Sequence, residues 1–116
     1  MWALSDPERL GRLARRVLED PASEALASAA SVWEIAIKAS LGKIDFPLSE
    51  LAPSLSAAGL GELPVDVRHA TAVRHLPAHH RDPFDRMLVA QALVEGLVLV
   101  TRDRELGAYG VRTVWD

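Results

Sequence analysis

Cysteine is absent from the 116 residues, which excludes disulfides and thiolate metal sites. That absence fits a reducing compartment, and a cytoplasmic protein is the expectation. No apolar run approaches the roughly 20 residues that a membrane helix needs. The opening MWALSDPERL lacks a basic stretch followed by an apolar one, so it does not read as a secretory signal. A Gly-rich phosphate loop is missing, and so is the signature of a nucleophilic serine. Excess basic charge is missing too. The formal net charge of −3 argues against a strongly basic nucleic-acid binder. It leaves room for a nuclease whose acidic cluster takes up metal ions, because such ions reverse the local field.

What remains is enough for a real core. Hydrophobic residues make up 49% of the chain, and neither repeats nor linkers divide it, so one domain over residues 1–116 is expected. Ser5-Asp6-Pro7-Glu8 reads as a helix start, and Leu10, Leu13, Ala14, Val17 and Leu18 give that helix one apolar face. Arg9, Arg12, Arg15 and Arg16 lie mostly elsewhere on it and read as a solvated face. Residues 24–28 form a weak strand candidate, 29–41 a helix and 48–58 a further helical stretch. A brief strand is expected over 62–65. Asp66 can cap a helix running to about His75.

The clearest unit comes last. A helix spans 83–95, a strand 97–101, a helical turn 104–108 and a short strand 111–115. Helices alternating with short strands predict α/β with a mainly parallel sheet, in which ligands bind outside the carboxyl ends of the strands.

Four acids fall near that edge. Glu34 either closes a capping box with Ser31 or points into the crevice after a strand. Asp82, followed by Pro83, is a good N-cap. Asp85 starts a row through Val89, apolar company that favours a ligand or a paired group. Asp103 follows a buried strand and can serve a metal or cap the next turn. Carboxylates without cysteine suit a hard ion, Mg²⁺ or Mn²⁺. The histidines do not share ligand spacing: His79 and His80 are adjacent, and His69 and His75 lie six apart. Trp2, Trp33 and Trp115 are scattered, and core packing is their default role.

SAASVWEIAIKASLGKI, LPAHHRDPFDRMLVAQALVEGLVLVTRD and YGVRTVW, in that order, resemble PIN-domain proteins, above all the VapC-type toxins of toxin–antitoxin pairs. The resemblance implies a PIN-like three-layer sandwich and metal-dependent cleavage of RNA by an endonuclease using Mg²⁺ or Mn²⁺. It implies that Glu34, Asp85 and Asp103 form the acidic site, with Asp82 and Thr101 auxiliary to it. Lys38, Arg86 and Arg102 are the candidate RNA contacts. A cognate antitoxin and a homodimeric state are the implied partners. Family members usually begin with an apolar strand ending in Asp-Thr, whereas Met1-Trp2-Ala3-Leu4 resembles the end of the helical segment that follows it. The expectation is therefore a sheet whose first strand is missing. The alternative function is an impaired module that binds an antitoxin or dimerises without cleaving RNA.

Overall fold

The computed structural model describes residues 2–4, 24–43, 59–77, 82–101 and 103–114, with positions 49, 53, 56 and 57 singly. The helices expected over 5–20 and 48–58 lie mostly outside these residues, as do His79, His80, Arg81, Arg102 and Trp115.

Five short strands make one sheet: β1 (Trp2–Leu4), β2 (Ala25–Ser28), β3 (Gly61–Leu63), β4 (Val98–Val100) and β5 (Thr113–Val114). Their order is β3-β2-β1-β4-β5, and all four pairings are parallel. Parallel neighbours need crossovers, and in the described residues helices lie between β2 and β3 and between β3 and β4. The helices are α1 (Ala29–Ser40), α2 (Val67–Ala72), extended by a 3₁₀ turn over Val73–His75, and α3 (Pro83–Glu95). A second 3₁₀ segment, Arg104–Tyr109, joins β4 to β5. The α/β PIN-like class holds.

The expected gap in the sheet does not. Trp2–Leu4 occupies the central slot, with Leu4 in register with Ala27 on one side and Val100 on the other. The physical reason is backbone pairing. An open slot would leave the facing N–H and C=O groups of β2 and β4 without partners, and three extended residues suffice to bond both flanks.

Local chemistry explains the helix limits. Asp82 caps α3 by accepting from the N–H groups of Phe84 and Asp85, and Pro83 takes the first helical position, where no N–H is needed. Gly96 ends α3 at φ 68°, a left-handed conformation that glycine adopts without a Cβ clash, and Leu97 N–H then bonds back to Ala92 O. Asp66 caps α2 in a capping box with His69. Ser28, not Ser31, caps α1 through Ala30 N–H, and the buried Ser31 hydroxyl has no hydrogen-bond partner among the described residues. The Ser31–Glu34 capping box is thus corrected. The helix begins one turn earlier than that box requires, directly at the end of β2.

The core joins Leu63, Leu88, Val89, Ala92, Leu97, Leu99, Leu106, Tyr109 and Val111. It lies between α3, the edge of β3 and the β4–β5 unit. Leu99 is fully buried in β4, whereas Val67 is 77% exposed on α2. Leu99→Ala is expected to cost about 2–5 kcal/mol in urea unfolding, the usual range for a cavity of that size. Val67→Ala should stay within about 0.5 kcal/mol.

Candidate functional site

Two contacts set the geometry at the carboxyl edge of the sheet. At the end of β2, the Ser28 hydroxyl donates to Gln91 Oε1 on α3 at 2.5 Å. Further out, Trp33 of α1 meets Phe84 of α3 edge-on, with centroids 5.2 Å apart and planes at 73°. Residue numbers rise on α1 as they fall on α3, so the two helices run antiparallel. Together they extend past the sheet edge.

Glu34 and Asp85 are the sequence neighbours of that aromatic pair. Glu34 is half-buried and lies 3.4 Å from Lys38, one turn along α1. Asp85, also half-buried, sits one turn before the fully buried Val89. Asp103 follows β4. Its carboxylate accepts from Glu105 N–H and caps the 3₁₀ segment, while its own N–H donates to Thr101 Oγ1 at 3.1 Å. Thr101 is buried at the strand end.

Glu34, Asp85 and Asp103 therefore come from α1, α3 and the end of β4. All three belong to segments that start or finish at the same edge, since α1 follows β2 and α3 precedes β4. Among the described residues, their ligand atoms do not all fall within 4.8 Å of one another. Among the described residues, the one trio of His, Asp or Glu with ligand atoms within 4.8 Å of one another is Asp66, His69 and Glu95.

The remaining candidates divide. Asp82 is a helix cap. Lys38 lies on Glu34. Arg86 is turned inward: its guanidinium donates to Pro77 O at 2.9 Å and Val73 O at 3.1 Å, and reaches Leu76 O and the Tyr109 hydroxyl at 3.4 Å. Those carbonyls close the α2 segment, so in this structure Arg86 is a scaffold group rather than one turned toward a phosphate. Arg102 lies outside the described residues.

Trp33 departs from its expected core role. It is 63% exposed and, with Ala29, Ala30, Val65, Ala70, Val73, Pro83, Phe84, Arg86 and Met87, lines an apolar groove of about 600 Å³. The face of α1 that buries Ser31 and Ile35 turns Trp33 outward.

The Asp66–His69–Glu95 trio was not legible as a unit, because Glu95 lies 26 residues beyond His69 and joins the Asp66–His69 pair only where the start of α2 meets the end of α3. His69 is 1% exposed. Its Nδ1 accepts from Asp66 N–H at 3.0 Å, so its proton is on Nε2, which donates to Glu95 Oε1 at 2.9 Å. Arg68 adds a guanidinium 2.9 Å from Asp66 Oδ2 and 2.6 Å from Glu95 Oε1. The spacing of the trio suits a cation, and Arg68 already supplies one. Glu95 lies ten residues from Asp85, about 15 Å along the helix, so this cluster sits at the other end of α3.

A model of the PIN domain matches residues 1–111. The chain belongs to the PIN-domain family. Solved structures agree on the fold. VapBC2 from Rickettsia felis bound to a promoter DNA fragment superposes with a TM-score of 0.76 at 14% identity, covering 100% of this chain and 99% of that one. DNA-bound VapBC from Salmonella typhimurium gives 0.73 at 18%, over 98% and 96% of the two chains. FitAB bound to an IR36 DNA fragment gives 0.68 at 20%, over 99% and 94%. No curated protein matches the sequence. At these identities the likeness carries the fold, and the residues above carry the rest. Among the described residues of this PIN domain, no helix is long and apolar enough to cross a membrane.

The Arg68 cluster makes a pH prediction. The hydrogen bond from Arg68 holds the Asp66 carboxyl below its ordinary value, and that from His69 does the same for Glu95. A carboxylate lowered on folding contributes stability that is complete above its unfolded value near about 4 and is lost as pH falls through the lowered folded value. Stability measured by urea unfolding should therefore fall as pH drops through about 4, and Glu95→Gln should flatten that slope. An unchanged slope in the variant would show that the cluster contributes nothing to acid sensitivity.

Proposed function

We propose that this PIN domain is a VapC-type toxin, an endoribonuclease that hydrolyses RNA phosphodiester bonds with Mg²⁺ or Mn²⁺. One observation carries the reading: Glu34, Asp85 and Asp103 reach the carboxyl edge of a parallel sheet from three separate elements. PIN domains are generally nucleases, which gives that edge its chemistry. The donor set fits a hard divalent ion, because all three candidates offer carboxylate oxygens and none offers sulfur or imidazole. An ion held there would lower the pKa of a bound water and offset charge on the scissile phosphate.

The protein's own residues do the rest. Asp103 is oriented through its turn with Thr101 and Glu105. The α1–α3 pair holds Glu34 and Asp85 at the overhang. Lys38 and Arg102 are the basic groups we assign to RNA phosphates, and Asp82 serves the site through its cap. VapBC and FitAB, the neighbours in fold, are complexes bound to DNA. A cognate antitoxin and a homodimer are the corresponding partners proposed for this chain.

A second reading is a module that binds an antitoxin or dimerises without cutting RNA. The apolar groove at Trp33 and Phe84 favours it. Cleavage of a structured RNA in Mg²⁺ separates the two. The enzyme reading expects Asp85→Asn and Asp103→Asn each to lower the rate by about a hundredfold or more, with chelation abolishing it and Mn²⁺ restoring it. Cleavage that survives both substitutions would overturn the assignment. Retained partner binding with no Mn²⁺ uptake would favour the module.

A further inference from the structure

Gln91 is the most conspicuous polar group that this function leaves unused. It is fully buried in the middle of α3, among Leu88, Val89, Ala90 and Ala92. A buried amide costs stability unless its hydrogen bonds are met, and here both ends are used. Its Oε1 accepts from the Ser28 hydroxyl, and its Nε2 donates to Pro64 O at 3.3 Å. Pro64 follows β3 directly and Ser28 is the last residue of β2, so one side chain ties the carboxyl ends of two strands to α3. The same Ser28 oxygen accepts from Ala30 N–H at 3.0 Å and caps α1. The cap and the joint share one hydroxyl. With its proton committed to Gln91, the oxygen has its lone pairs left for the helix.

From that joint the acids are equally far out. Glu34 lies six residues along α1 and Asp85 six residues back along α3, each about 9 Å of helix away. Over that distance, a small change in the crossing of α1 and α3 moves the two carboxylates relative to each other. The Trp33–Phe84 contact limits such motion but is itself largely open to solvent on the Trp33 side.

We infer that Gln91 is a positioning residue for the acidic site: through Ser28 it fixes the crossing of α1 and α3, and with it the separation of Glu34 from Asp85. The inference rests on the reading of that site as a metal centre. It adds a residue that touches neither metal nor RNA.

Two measurements test it on the full chain. The first is Mn²⁺ affinity by calorimetry in Gln91→Met and Ser28→Ala, with folding checked by thermal melting. Both variants should bind Mn²⁺ about tenfold more weakly, the scale on which outer-shell partners act, and Ser28→Thr should restore affinity because it keeps the hydroxyl. The second uses the absence of cysteine. Nitroxides at Ser40→Cys on α1 and Leu93→Cys on α3 report the helix crossing by pulsed electron resonance, independently of metal. The distance distribution should shift or broaden in Gln91→Met. If that variant does not fold, Ser28→Ala carries the same measurement. Folded variants with wild-type Mn²⁺ affinity or an unchanged distance distribution overturn the inference. If Mn²⁺ binding by the wild type is untouched by Asp85→Asn, the metal-centre reading itself fails and the positioning role falls with it.

Discussion

Leu88, Val89, Ala90, Gln91 and Ala92 are five consecutive buried residues and cover more than one full turn, so the middle of α3 has packed neighbours on every side. Few helices in a domain this small are enclosed all round. Most show one apolar stripe and one wet face. Here α1, α2, both 3₁₀ segments and β4 all contact α3. The strands need that support. None is longer than four residues, and ladders that short gain their stability from what is packed on them rather than from their hydrogen bonds alone.

Enclosure decides what the ends of α3 can do. Its first turn projects past the sheet and brings Asp85 to the carboxyl edge. Its last turn lies at the other end of the helix, where Glu95 joins His69 and Arg68. The helix thus carries a carboxylate at each end in two very different settings. Glu95 sits in a closed set of charge-assisted hydrogen bonds around a buried imidazole. Asp85 sits on the overhang beside Phe84 and the apolar groove. Position on one buried rod separates a structural acid from a candidate metal ligand.

Much of this was readable in the chain. The limits of α3 follow from Asp82-Pro83 and Glu95-Gly96, whose capping preferences need no tertiary context. The α1 segment, the Asp66-capped helix and the strand before Thr101 follow from spacing and punctuation in the same way. The capping half of the two roles open to Asp103 is also met locally, because its carboxylate accepts from Glu105 N–H. Ser31 misled, since Ser-x-x-Glu occurs in two roles and only the true end of β2 shows that the cap is Ser28. Trp33 misled because a tryptophan in an apolar run reads as core, and nothing local tells which side of α1 meets α3.

The sequence by itself determined the limits of α3, the α/β class with a mainly parallel sheet, and which acids to weigh as candidates for its carboxyl edge. These depend on neighbours along the chain: caps, glycine and proline positions, and the period of apolar residues. Only the tertiary structure decided that Trp2–Leu4 fills the central slot, that Arg86 turns inward, and that His69 bridges two helix ends. It alone joined Ser28 to Gln91, residues 63 positions apart. Those outcomes rest on hydrogen-bond partners met across the fold. A buried polar group takes whatever partner packing delivers, and packing is a property of the whole chain.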